Sequence, residues 1–101
     1  MIQPTIGRVI WFHESKAGRA VGVQPKPALI CRVWSDRMIN VAGFDKNGDP
    51  FKQTSVRLVQ EGDPIPNHGF FAEWMPYQQQ QAKRYTPTLT EKMQERKNEQ
   101  Q

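Results

Sequence analysis

Short apolar runs, each the length of one β-strand, alternate with polar turn segments along residues 1–75. Runs of about four to eight residues, rich in β-branched and aromatic side chains and bounded by Gly, Pro, Asn or Asp, are typical of strands. No helical apolar spacing competes with this pattern before residue 76. The sequence therefore predicts a mainly β fold, a small antiparallel SH3-like barrel or roll, with strands at residues 6–13, 28–34, 38–44, 51–59 and 70–75.

Local patterns add detail to this barrel. Asn47-Gly48 predicts a hairpin between the third and fourth strands, because Asn-Gly accommodates the positive φ angles of a tight primed turn. Strict alternation along residues 28–34 would place Leu29, Cys31 and Val33 on one face, and Ala28, Ile30, Arg32 and Trp34 on the other. Alternation along residues 51–59 would place Val59 on the face opposite Val56 and Leu58. We expect these residues in the core: Val9, Ile30, Val33, Val41, Val56, Leu58 and Trp74.

Composition changes near Met75. Residues 1–75 form the predicted β-barrel domain, whereas residues 76–101 are rich in Gln, Lys, Arg and Glu and too polar to fold alone. In this extended, partly helical C-terminal arm, Thr88 and Glu91 fit a capping box, which predicts a helix at about residues 88–99. We expect the arm to bind a surface through its apolar anchors: Tyr77, Tyr85, Leu89 and Met93.

Length and charge limit the class of protein. A chain of 101 residues holds one domain, and a core this small rarely supplies more than about 3–5 kcal/mol, so we expect self-association or a docking partner. The formal net charge of +4 permits a phosphate-rich partner without requiring one. No apolar run has the length of a membrane span or a signal region. We expect a soluble protein without a membrane partner.

The sequence offers no catalytic constellation. Its serines lack the setting of an activated nucleophile, and the single cysteine excludes an internal disulfide. The soft metal ligands share no metal-motif spacing: His13, His68 and Cys31. Asp45, Asn47 and Asp49 begin like a calcium loop, but Pro50 stands where that loop requires glycine. We therefore expect no enzyme activity, no cofactor and no bound metal.

Arginine and tryptophan residues interleave along the predicted strands: Arg8, Trp11, Arg32, Trp34 and Arg37. One hypothesis is that they line a ligand or partner face, on which a base or nucleotide could stack and pair its phosphate. The other interpretation is that the tryptophans are core and the arginines are solvated, since tryptophan is highly buried on average. A tryptophan open to solvent beside an arginine would favour the first.

Several short segments follow one another in a recurrent order along about residues 6–77: Gly7-Arg8-Val9-Ile10, residues 28–30 and 33–36, residues 39–41, Phe44-Asp45 with Asn47-Gly48, and the strand around Trp74. In this order the chain resembles a widespread family of short proteins encoded by tailed bacteriophages. The resemblance implies a phage origin and one small β-domain, and it supplies no functional residues.

Two classes of function remain open. The first is a structural or interaction module that docks on other phage proteins or on itself, in the virion or the host cytoplasm, as a homo-oligomer or in a larger assembly. The alternative is a ligand-binding protein, which binds nucleic acid or sequesters a nucleotide signal of the host's defence.

Overall fold

A computed structural model describes residues 1–82 of the chain. Five strands form a closed barrel in chain order: β1 (Val9–His13), β2 (Lys26–Ser35), β3 (Met38–Phe44), β4 (Pro50–Val59) and β5 (Phe71–Glu73). A short helix, α1 (Lys16–Ala20), lies between β1 and β2, and residues 76–82 are helical. The mainly β fold and the small barrel are confirmed. The predicted helix at residues 88–99 and three arm anchors, Tyr85, Leu89 and Met93, lie outside the described residues.

The barrel closes through β5. Strands β1 to β4 pair in sequence, each antiparallel to the next, and β5 is antiparallel to β1. The remaining pair, β4 with β5, is parallel, with Leu58 opposite Ala72. A parallel pair needs a long connection, which residues 60–70 provide with their Pro and Gly residues. The sheet is therefore antiparallel except at this one seam.

The core fills the barrel interior. Five predicted core residues are buried: Ile30, Val41, Val56, Leu58 and Trp74, and Val33 is half-buried against them. The prediction for Val9 is wrong, because Val9 is 39% exposed while its neighbours Ile10 and Phe12 occupy the inward positions of β1. Val59 is buried as well as Leu58, so strict alternation also fails at the end of β4.

A register shift in β2 decides which side chains face outward. The β2–β3 pairing shifts between Ile30 and Arg32. Ala28 and Ile30 therefore point inward and Arg32 and Trp34 outward, although strict alternation had placed all four on one face. An extra residue in one strand reverses the alternation that follows it.

The turn between β3 and β4 is the predicted hairpin with a different geometry. Gly48 N–H donates to the Asp45 carbonyl at 2.9 Å, and the Asp45 carboxylate accepts from Asn47 N–H at 2.9 Å. Gly48 has a φ of 83°, whereas Asn47 has no positive φ. The loop is therefore a β-turn followed by one left-handed glycine, and the expected primed turn is wrong.

Candidate functional site

Arg32 and Trp34 form an exposed pair on the outer side of β2. The guanidinium carbon of Arg32 lies 3.6 Å from the ring centroid of Trp34. Trp34 is 52% exposed, and its indole N–H donates to Asn40 Oδ1 at 3.0 Å. This geometry is the one named above, a tryptophan open to solvent beside an arginine. It provides a flat polar and aromatic surface at one end of the sheet.

The other three residues of the predicted arginine and tryptophan face lie elsewhere. Arg37, at the β2–β3 turn, donates to both carboxylate oxygens of Asp63, at 2.8 and 3.2 Å. These hydrogen bonds hold the pKa of Asp63 below its ordinary value. Arg8 lies 5.5 Å from the ring centroid of Trp74, which is a core residue. Trp11 is half-buried on the outer side of β1. Arg8 and Arg37 therefore have partners away from the Arg32–Trp34 pair, whereas Trp11 shares the outer side of the sheet with it.

The strand registers instead assemble a row of residues that sequence reasoning missed. Val9 pairs with Leu29, Leu29 pairs with Ala42, and Ala42 pairs with Lys52. Directly opposed residues on neighbouring strands share one side of a sheet. Because Ile10 points inward, Val9 and its row point outward.

A second row runs beside the first. Trp11 pairs with Pro27 on β2, and Phe44 pairs with Pro50 on β4. The pairing of Ala28 with Gly43 brings Pro27 next to Phe44, so the row continues across β1 to β4. We define the outer face as the apolar members of the two rows: Val9, Trp11, Pro27, Leu29, Ala42, Phe44 and Pro50.

This outer face is substantially open to water. Leu29 is 45% exposed and Phe44 is 53% exposed, while Trp11 and Ala42 are half-buried. A contiguous exposed apolar patch marks an interaction site more often than a single exposed apolar residue does. The sequence carried a weak signal of it, because residues 9–12 are apolar on both sides of the alternation.

The helical residues 76–82 attach beside this surface. Gln78 Nε2 donates to the Val9 carbonyl at 2.8 Å, and Gln78 Oε1 accepts from Met75 N–H at 2.9 Å. The predicted anchor Tyr77 is 67% exposed. The arm therefore starts at β1, at the margin of the outer face, with one aromatic side chain uncovered.

A cleft beside the β3–β4 turn has balanced charges. It measures about 460 Å³ and lies between α1 and the β3–β4 turn, with His13, Arg19 and Lys26 among its lining residues. Arg19 Nε and His13 Nε2 both bond Glu73 Oε1, at 2.9 and 2.7 Å, and Lys26 pairs with Glu14. The Arg19–Glu73 ion pair joins α1 to β5, and the charges that line the cleft are largely balanced.

Within residues 1–82, no three His, Cys, Asp or Glu side chains lie close enough together to hold a metal ion. None of the helices in the same range has the length and hydrophobicity needed to cross a membrane.

No protein-family model, curated protein or solved structure matches the chain. The interpretation of the outer face and of the Arg32–Trp34 pair therefore rests on the structure of this chain alone.

Proposed function

We propose that this protein is a non-enzymatic docking module that binds another protein through its outer face. The observation that carries the proposal is the pair of cross-strand rows, which hold seven neighbouring apolar side chains on the outside of a closed barrel. Covering exposed apolar surface contributes about 25 cal/mol per Å² to binding, before the costs of association are subtracted.

The rows suit docking because their positions are rigid. Each outer-face residue lies on or at the end of a paired strand, and buried residues such as Ile10 and Ile30 lie between them in sequence. A binding surface built on such elements loses little conformational entropy when a partner covers it. The expected small core adds a second reason for a partner, since binding also stabilises the folded state.

The resemblance to short proteins of tailed bacteriophages leads us to propose where this docking takes place. The partner would be another phage protein or a second copy of the chain, in the virion or in the host cytoplasm. The C-terminal arm, which starts beside Val9, would extend the contact along the partner's surface.

The test compares two matched charge insertions. Leu29→Asp places a carboxylate in the middle of the outer face, whereas Val21→Asp places one at an apolar residue that is 80% exposed next to α1. Tagged full-length proteins would be expressed during phage infection, and the proteins that co-purify would be quantified by mass spectrometry. We expect Leu29→Asp to recover at least about tenfold less of a specific partner than wild type, and Val21→Asp to recover the wild-type amount. Equal recovery with both variants would contradict the proposal, provided that both melt cooperatively.

The exposed Arg32–Trp34 pair supports the second candidate function, binding of nucleic acid or of a nucleotide. Base stacking on an aromatic side chain contributes about 1–3 kcal/mol per base. Titration with dT12 or a cyclic dinucleotide, followed by tryptophan fluorescence, tests this candidate. Binding that disappears in Trp34→Ala, measured there by anisotropy of a fluorescently labelled ligand because the variant lacks the Trp34 signal, would favour it. No fluorescence change of the wild type at low salt would exclude these two ligands.

A further inference from the structure

The charges of the barrel are distributed unevenly. Strands β1 to β4 contain no Asp or Glu, and their charged residues are all basic: Lys26, Arg32, Lys52 and Arg57. The acidic residues of the described chain lie in turns and loops, except Glu73 on β5. The row through Val9, Leu29 and Ala42 therefore carries no acidic residue and ends at a cation, Lys52. The acidic residues beside the second row have partners of their own in two cases: Glu73, opposite Trp11, pairs with Arg19, and the Asp45 carboxylate accepts from the backbone of the β3–β4 turn. Asp49 adjoins Pro50 at the end of that row.

Two of these cations lie at the border of the outer face with no acidic partner in the described part of the chain. Lys52 ends the row that runs through Val9, Leu29 and Ala42. Arg32 lies opposite Asn40 on the same side of the sheet and stacks on Trp34. Other cations of the described residues have acidic partners: Arg19–Glu73, Lys26–Glu14 and Arg37–Asp63.

We infer that the outer face binds a protein segment in which apolar side chains are flanked by Asp or Glu. This inference rests on the proposed docking function and specifies its partner. The apolar side chains of the segment would cover Leu29 and Phe44, and its carboxylates would reach Lys52 and Arg32. Complementary charge around an apolar centre selects the partner and sets the orientation of binding.

The same charges disfavour the other occupants. A second copy docked face to face would present the same first row, which carries no acidic side chain to pair with Lys52 or Arg32. Nucleic acid gains affinity mainly by releasing counterions from many phosphate contacts. The outer face offers seven apolar side chains and two bordering cations, a composition that fits a protein segment better.

The experiment selects peptides on the intact protein. A library of random 12-residue peptides would be displayed and selected on immobilised full-length chain, with counter-selection on Leu29→Asp. Dissociation constants of the enriched peptides would then be measured by fluorescence anisotropy at two salt concentrations. We expect enriched peptides to combine Leu, Ile, Phe or Trp with Asp or Glu, and to bind more weakly at high salt.

Charge reversals test the named cations. Lys52→Glu and Arg32→Glu should each weaken binding about three- to tenfold. The control Lys16→Glu reverses an exposed charge on α1 and should change binding less than about twofold. Circular dichroism and thermal melting would establish that the variants fold.

The outcomes distinguish the inferred partner chemistry from the docking function on which it rests. Peptides that bind Leu29→Asp as well as wild type, or no enrichment at all, would overturn the docking function itself. Neutral or basic peptides that need Leu29 but ignore both charge reversals would overturn only the inferred partner chemistry. A dimer in sedimentation equilibrium that Leu29→Asp dissociates would assign the face to a second copy. Tighter binding of dT12 than of any peptide, lost in Lys52→Glu, would assign it to nucleic acid.

Discussion

The indole Nε1 of Trp74 donates a hydrogen bond to Oε1 of Gln60 at 3.1 Å, inside the barrel. Gln60 is 2% exposed, and its amide also bonds the backbone of Ile2 on both sides: Oε1 accepts from Ile2 N–H and Nε2 donates to the Ile2 carbonyl. Nε2 donates further to the Asp36 carbonyl at 2.9 Å. One side chain thus joins the N-terminal segment, the β2–β3 turn and the largest core residue.

Gln60→Leu should destabilise the barrel strongly. The leucine fills a similar volume but leaves the buried Trp74 N–H without a partner and removes the hydrogen bonds to the half-buried backbone groups of Ile2 and Asp36. Each buried group left unsatisfied costs about 1–3 kcal/mol, and we expect a loss on the order of 3 kcal/mol. Urea unfolding measures it, with the exposed Gln24→Leu as control, expected to stay within about 0.5 kcal/mol. Equal unfolding midpoints for the two variants would contradict the role assigned to Gln60.

Trp74→Ala should lower the free energy of unfolding at least as much as Gln60→Leu, because it removes a side chain that is 1% exposed and leaves a cavity in the core. Truncation of a buried aromatic residue costs about 3–5 kcal/mol, and we expect this loss to unfold most of a barrel of this size. The matched control is Trp34→Ala at a tryptophan that is 52% exposed, and it should cost less than about 1 kcal/mol. A Trp74→Ala protein with the melting temperature of wild type would place the indole outside the core.

The sequence predicts where the strands lie along the chain better than it predicts which side of each strand faces the core. All five strand segments exist, since turn residues such as Asn47-Gly48 and strand-length apolar runs are local signals. The register shift after Ile30 has no such signal, and it reverses the side on which Arg32 and Trp34 lie. Residues 9–12 are apolar on both sides of β1, a pattern that does not determine whether Val9 or Ile10 points inward.

The candidate site was predictable only in part. The Arg32–Trp34 pair follows from two residues two positions apart on one strand. The outer face depends on cross-strand registers that bring Val9, Leu29 and Ala42 together from three strands. Helix α1 was not predicted because five residues are too few to show an apolar period, and its signal is only the cap that Ser15 Oγ forms with Gly18 N–H at 2.9 Å.

Acid should weaken the fold partly through Asp63. The hydrogen bonds from Arg37, and next the one from the Gln60 backbone N–H, lower the pKa of Asp63 below its ordinary value. Because the folded state prefers the ionised carboxylate, this stabilisation is complete above the unfolded pKa, about 4, and is lost as the pH falls through the lower folded value. Urea midpoints measured between pH 7 and pH 2.5 should therefore fall less steeply in Asp63→Asn than in wild type.

A substitution of Arg37, the ion-pair partner of Asp63, provides a second test of the same pair. Arg37→Gln should flatten the acid limb in the same way, whereas Lys16→Gln, which removes an equal charge on α1, should keep the wild-type slope. An unchanged slope in both Asp63→Asn and Arg37→Gln would show that the pair does not contribute to acid sensitivity.

Gly43 is the residue whose substitution should distort the sheet itself. It pairs with Ala28, and a Cβ built on Gly43 would lie 2.0 Å from the Pro27 carbonyl oxygen and 2.7 Å from the Ala28 Cα. These are backbone atoms, so Gly43→Ala can be accommodated only if β2 and β3 separate. Overpacking of this kind costs about 1–3 kcal/mol or more.

The separation of β2 and β3 should also reach the docking surface, because Pro27 and Phe44 flank this pair in the outer face. We therefore expect Gly43→Ala to lower the unfolding midpoint and, at a temperature where it is still folded, to weaken partner binding. Gly48→Ala is the control: Gly48 has a φ of 83° but open space around its Cα, so alanine there costs only the left-handed backbone strain of about 1–2 kcal/mol. It should leave binding intact. Binding lost equally in both variants would mean that stability alone, and not the spacing of β2 and β3, governs the outer face.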